Sequence, residues 1–249
     1  TTNPVITFTN IGTSVSIDGH FIIGSPNALN TNLIPTNNLI IDGSNTIDGS
    51  TKDLTFIGSA SSVTRSVFRV FGNCDGITIK NCIITTKNTS GSSNACIQLT
   101  DYTTFAPDNF TALNNTLNAN SGNGSLGALI SVSGTPTALM TGIKIQNNVV
   151  TSRATRAIMF NYVADGEISG NTITHDLQLS TGAAQTIAVL TGGAAAGTFN
   201  IFNNIIKQVK TWNTAAGPAA SNGAIGIDNQ LAAPKIVNIY NNFITGFTI

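Results

Sequence analysis

Ile143-Lys144-Ile145-Gln146-Asn147-Asn148-Val149-Val150 reads apolar, any, apolar, any, Asn, Asn, any, apolar. The phrase recurs at residues 77–84, 110–117, 166–173, 199–206 and 237–244. Measured at the second Asn position, successive copies lie 33, 33, 23, 33 and 38 residues apart. A fixed structural unit joined by loops of variable length gives such spacing. Within each copy the apolar residues alternate, so the first and third positions face one side of a strand. The Asn pair then interrupts the strand. Asn enters the left-handed region more readily than any other non-Gly residue, so it turns the chain sharply. The phrase is strand, bend, strand.

A second pattern precedes the copies: Phe68-Arg-Val70, Ile97-Gln-Leu99, Ile130-Ser-Val132, Ile158-Met-Phe160, Ile187-Ala-Val189 and Ile225-Gly-Ile227. These short strands supply a third side. Three strands per turn, stacked turn on turn, predict an all-β right-handed parallel β-helix of about eight rungs in a single domain over residues 1–249. Ile79, Ile145, Ile168, Ile201 and Ile239 are expected to stack in one buried column. Asn115, Asn148, Asn171, Asn204 and Asn242 are expected to stack at the bend, each amide donating to the next. Cys82 stands where that column would have another Asn, and Gly170 breaks the column beside it. Residues 1–60 are less regular, with strands expected at 5–8, 15–17, 39–41 and 54–56 and a loop over 27–38.

The composition agrees. There are 31 asparagines, 35 threonines and 24 glycines, and charged residues make up only 9%. Thr, Ile and Val favour strands, and Asn and Gly favour turns. Eleven basic and eleven acidic residues balance, which gives no electrostatic footprint for nucleic acid. No apolar run is long enough for a membrane-spanning helix, so no membrane insertion is expected. Cys74, Cys82 and Cys96 lack metal-ligand spacing and read as buried thiols or one disulfide with a leftover.

The stretches Asn38-Leu-Ile-Ile-Asp42-Gly43-Ser44-Asn45, Thr51-Lys-Asp53-Leu-Thr-Phe56 and Ile77-Thr-Ile-Lys-Asn81-Cys82-Ile-Ile84 resemble the parallel β-helix repeats of large secreted and surface proteins of Bacteroidetes. Those proteins carry IDGS, RDLTI and IKNCII phrases in this order; here Lys52 replaces the Arg. The resemblance covers mainly residues 38–87. It implies export, often by type IX secretion, and an extracellular or cell-surface location. The sorting domain such proteins carry at the C-terminus does not occur in this sequence.

Chemistry-bearing residues are sparse. Asp75, Asp101, Asp108, Asp165 and Asp228 fall one per rung or fewer, without the paired carboxylates that glycoside hydrolysis needs. Asp42, Asp48 and Asp53 lie close in sequence and are the candidate ligands of a structural calcium; as a plain alternative they are turn formers. His20 and His175 are the only histidines, and His175-Asp176 is expected in a solvated loop. Arg153 and Arg156 bracket the shortest connection. The variable connections emerge from one corner and form a decorated edge. There Trp212, with Lys207 and Lys210, is the candidate ligand-binding group, an exposed Trp being suited to stacking on a sugar. Thr85, Thr151, Thr174 and Thr245 share one outward column, which an ice-binding face would require, but Asn118 and Lys207 interrupt it.

The sequence therefore reads as a non-catalytic structural or adhesive β-helix segment of a secreted or cell-surface protein, with no cofactor beyond that calcium. The rival readings are a polysaccharide-active enzyme (lyase or glycoside hydrolase) and a carbohydrate-binding module. Expected partners are further repeats or domains of the same protein, other subunits at the open ends, and polysaccharide. An apolar terminus in mid-rung makes the chain, on this reading, a piece of something longer.

Overall fold

The computed structural model describes residues 5–6, 15–24, 36–58, 66–87, 95–102, 104–119, 127–177, 184–189, 197–211, 224–231 and 235–246. Among them all regular structure is strand, and every strand pairs in parallel. Sheet A stacks β1 (Val5–Ile6), β4 (Ile40–Asp42), β7 (Thr78–Lys80), β10 (Thr111–Leu113), β13 (Ile143–Gln146), β16 (Gly166–Ser169), β19 (Thr198–Phe202) and β22 (Ile236–Tyr240). Sheet B stacks β2 (Val15–Asp18), β5 (Leu54–Gly58), β8 (Cys82–Thr86), β11 (Thr116–Ala119), β14 (Val149–Ser152), β17 (Thr172–Leu177), β20 (Ile205–Thr211) and β23 (Phe243–Thr245). Sheet C stacks β3 (Phe21–Ile23), β6 (Phe68–Phe71), β9 (Ile97–Thr100), β12 (Ala128–Ser133), β15 (Arg156–Asn161), β18 (Ala184–Val189) and β21 (Ala224–Asn229). Each rung runs A, B, C and returns to A one level on. This is a right-handed parallel β-helix, and sheets of eight, eight and seven strands agree with the eight rungs expected.

Burial explains the topology. A lone rung has an apolar inner face and unpaired backbone on both edges, and stacking removes both defects. The inner columns are continuous in register. Sheet A contributes Ile79, Ala112, Ile145, Ile168 and Ile201. Sheet B contributes Phe56, Ile84, Leu117, Val150, Ile173 and Ile206. Sheet C contributes Phe68, Ile97, Ile130, Ile158 and Ile187. All are buried in one core. Phe21, Phe56 and Phe68 pack their rings together, with centroids 4.6–5.3 Å apart, and fill the space between sheets B and C near the first rungs.

Among the strands that stack the core, the structure departs from the sequence reading in three places. Ile239 stacks on Ile201 as expected, but it is 46% exposed rather than buried. It lies on the outermost strand of sheet A, and among the described residues no further strand stacks on it. In β21 it is Ile227, not Ile225, that stands opposite Ile187, so the last copy of the sheet C pattern is shifted by two residues. The shift keeps an apolar residue facing inward because Ile225 and Ile227 have the same parity. Finally, β3 is a strand that the sequence reading did not assign, three residues long and separated from β2 by only Gly19 and His20.

Candidate functional site

At the A-to-B bend the two Asn positions have different tasks. The first takes the left-handed conformation: Asn81, Asn114, Asn147, Asn203 and Asn241 have φ of 57°, 52°, 55°, 56° and 53°. Gly170 holds the same position with φ 65°, so it satisfies the backbone demand instead of breaking a pattern. A Cβ on Gly170 would lie 2.1 Å from Asn147 Oδ1, so the Asn147 amide occupies the space that the glycine leaves.

The second position points inward and builds the ladder. Nδ2 of Asn115, Asn148, Asn171 and Asn204 donates to Oδ1 of the next member, to Asn242, at 2.9–3.1 Å. The same Oδ1 atoms accept the backbone N–H of the preceding member at 2.9–3.0 Å. Each Nδ2 also donates back to a carbonyl of the rung before: Ile79, Ala112, Ile145, Ile168 and Ile201, at 2.8–2.9 Å. Buried amides are thereby satisfied along the axis. Cys82 marks where the column changes character. Leu54 and Cys82 are apolar and buried in the same register, and the Cys82 N–H donates to Asn115 Oδ1 at 2.9 Å to begin the amide section.

Residues 43–53 fold back over this bend as a clip. Asn81 Nδ2 donates to Asp42 Oδ1 at 2.8 Å and to the Gly49 carbonyl at 3.0 Å. Asn114 Nδ2 donates to Asn81 Oδ1 at 2.8 Å and to the Ser50 carbonyl at 3.2 Å. Lys52 Nζ reaches Thr116 Oγ1 at 3.0 Å, and burial lowers its pKa.

The three candidate calcium ligands sit in and beside this clip. Asp42 bonds the Ser44 N–H at 3.0 Å and pairs with Lys80 at 3.0 Å. Burial pushes its pKa up, but the hydrogen bonds from Asn81, Ser44 and Lys80 and the Lys80 charge outweigh that and lower it overall. Asp53 accepts the Asn45 N–H at 3.3 Å. Asp48 is exposed at φ 57°. Among the described residues no three His, Cys, Asp or Glu side chains are placed to share a metal.

His175 corrects the sequence reading. It is in β17, not in a loop, and is wholly buried. Its Nε2 lies 2.7 Å from the Ala154 carbonyl and its Nδ1 3.2 Å from Thr186 Oγ1. A carbonyl only accepts, so Nε2 carries the proton and Nδ1 accepts from the Thr186 hydroxyl. Burial lowers the histidine pKa. With both ring nitrogens committed to the fold, His175 offers no lone pair to a substrate. Arg156 is half-buried in β15 and donates from Nε to Gln185 Oε1 at 2.5 Å; Gln185 in turn donates to Asp228. Through Gln185 it links three successive rungs. The thiols of Cys74, Cys82 and Cys96 are free and buried, and burial pushes those of Cys82 and Cys96 up to about 12.

Trp212 lies outside the described residues, as do the central parts of the connections at residues 88–94, 120–126, 178–183 and 212–223. Lys207 is exposed on sheet B, and Lys210 stands opposite Asp176 in β20. On the outer face of sheet B, Ile57, Thr85, Asn118, Thr151, Thr174, Lys207 and Thr245 do form one column in register.

The sequence reading missed one cluster. Lys144, Glu167 and Asn200 stand on successive rungs on the outside of sheet A. With Asp165 and Thr198 they line a shallow groove. Glu167 Oε1 accepts from Gln146 Nε2 at 2.7 Å and from Ser169 Oγ at 2.6 Å. Asp165 Oδ1 accepts the Gly142 N–H at 3.2 Å. The signal lies in the repeat phrase, whose second position faces outward and is not constrained by the core. No family model, no curated protein and no solved structure matches the chain.

Proposed function

We propose that the chain is a non-catalytic structural or adhesive segment of an extracellular or cell-surface protein. The use of the carboxylates supports this reading best. Asp42 is tied to Lys80 and Asn81, Asp75 to Asn109, Asp101 to Thr135, Asp108 to Thr141 and Asp228 to Gln185. These bonds run between rungs and brace the stack. Two pairs of carboxylates are neighbours: Asp75 and Asp108 are register partners on adjacent rungs, and Asp165 and Glu167 are two residues apart along one edge; in each pair both groups lie on one side of the sheet. Glycosidic cleavage needs two carboxyl groups on opposite sides of the scissile bond.

The exposed Ile236, Ile239 and Phe243 of the outermost rung suit a partner of the same kind, a further repeat or another subunit. Export, which the Bacteroidetes resemblance implies, agrees with a surface solvated by Thr, Ser and Asn. The test is incubation of the purified chain with pectin, alginate, xylan and cellulose, reading reducing and unsaturated ends. No release is expected. Release that disappears in Asp165→Asn or Glu167→Gln would refute the proposal.

A further inference from the structure

We infer that the groove on the outside of sheet A binds a neutral, hydroxyl-rich polysaccharide strand; this rests on the adhesive reading above and gives it a site. One oxygen of each groove carboxylate is committed to the fold: Glu167 Oε1 to Gln146 and Ser169, and Asp165 Oδ1 to Gly142. The other oxygen of each, Oε2 and Oδ2, has no partner among the described residues. The same holds for Lys144 Nζ and the Thr198 hydroxyl. Asn200 Oδ1 accepts from Asn238 Nδ2 at 2.9 Å, which leaves the Asn200 Nδ2 protons to donate outward. The groove thus presents acceptors and donors together, on rungs about 4.8 Å apart. A sugar hydroxyl is both donor and acceptor, and a row of hydroxyls along a chain meets such a mixed row better than a single charged group does.

The bonds inside the groove also prepare it. Glu167 is held by two donors and Asn200 by Asn238, so ligand contacts need little further ordering of these side chains. Beyond the groove on the same face, Phe202 and Tyr240 stand two residues along from Asn200 and Asn238. Their rings are parallel, with centroids 5.0 Å apart and an interplanar angle of 2°. Tyr240 is 46% exposed. The rings turn their faces to each other, so the pair presents a rigid apolar edge next to the groups that bond sugar hydroxyls. Two carboxylates against one ammonium repel a polyanion.

The experiment is isothermal titration of the purified chain with cellohexaose, xylohexaose, mannohexaose and laminarihexaose. Galacturonan and chitosan oligomers serve as charged probes. At least one neutral hexasaccharide is expected to bind with sub-millimolar affinity. Glu167→Gln and Asn200→Ala are each expected to weaken it about tenfold, the loss of roughly one hydrogen bond to a charged or well-placed group. Both side chains are on the outer face, and circular dichroism melting confirms that each variant is folded. Thr174→Ser, on sheet B, should bind as the parent does. The inference fails if no neutral probe binds, if only a charged probe binds, or if both groove variants keep the parent affinity. Absence of binding without cleavage overturns the groove and leaves the non-catalytic reading standing. Shortening of a bound hexasaccharide overturns the non-catalytic reading itself.

Discussion

Replacing Asn148 by Ala tests the ladder at its centre. Asn148 is 1% exposed. Its Oδ1 accepts the Asn115 N–H at 2.9 Å and Asn115 Nδ2 at 3.1 Å. Its Nδ2 donates to the Ala112 carbonyl at 2.9 Å and to Asn171 Oδ1 at 3.0 Å. The substitution leaves these partners unequally placed. Asn115 Nδ2 keeps its bond to the Ile79 carbonyl, and Asn171 Oδ1 keeps the backbone N–H of residue 148. The Asn115 N–H loses its acceptor in a site that water does not reach. An orphaned buried donor costs about 1–3 kcal/mol, and the small void left by the amide adds to it, for a total of about 2–4 kcal/mol. Urea unfolding followed by circular dichroism measures the total. Native-state hydrogen exchange localises it, since the amide of Asn115 should exchange at least ~30-fold faster, the equivalent of about 2 kcal/mol. Asn147→Ala in the neighbouring column is the contrast, because there the loss arises from the left-handed backbone and not from buried partners. If Asn148→Ala unfolds within about 0.5 kcal/mol of the parent, or if Asn115 exchange is unchanged, the ladder does not stabilise the stack.

Three further outcomes are expected. Gly170→Ala should destabilise by about 1–2 kcal/mol from its left-handed φ alone, more if Asn147 does not move aside; an unchanged denaturation midpoint would contradict this. His175 is held neutral in the folded chain, whereas the unfolded histidine titrates near 6.5. Stability from this group is therefore complete above that value and declines as pH falls, by up to about 1.4 kcal/mol per unit. In His175→Leu that part of the pH dependence should vanish. Cys82 and Cys96 should resist an aromatic disulfide reagent at about pH 8 in the native state and react once urea is added, because the thiolate is the reactive species; rapid native labelling would show that the thiols are not enclosed.

The repeat phrase was sufficient to read the rungs, the bend and the ladder, because each depends on local rules. Alternation assigns the inner face, and Asn at a bend supplies both the left-handed backbone and the stacked amide. Gly170 shows where that reading stopped. In sequence it looked like a gap, and only its φ reveals that Asn and Gly meet the same demand. His175 lies beyond the repeat phrase, which stops at Ile173, so the sequence places it in a loop although β17 runs on through it. The partners that hold the ring, Ala154 and Thr186, are 21 and 11 residues away, and no local pattern announces them. The groove escaped for a related reason. Lys144, Glu167 and Asn200 are separated by 23 and 33 residues, and they become neighbours only once the register of sheet A is fixed. Inward positions repeat because one core constrains them all, while outward positions are free to differ, so pattern-reading finds scaffold before it finds site.

The stacked bend also decides how the molecule would respond to force. The strands lie across the long axis, so a pull on the chain ends would detach rungs one at a time from an end, like tape from a roll. Each detached rung of 33 residues, the commonest spacing here, would release up to about 110 Å of slack at full extension. The short rung between Asn148 and Asn171, of 23 residues, would release only about 80 Å. It sits in the middle of the amide section, where each side chain grips both neighbours. Under load the coil would therefore lengthen in unequal steps. The smallest step would come from the turn that has the least loop to surrender and the same ladder bonds to break.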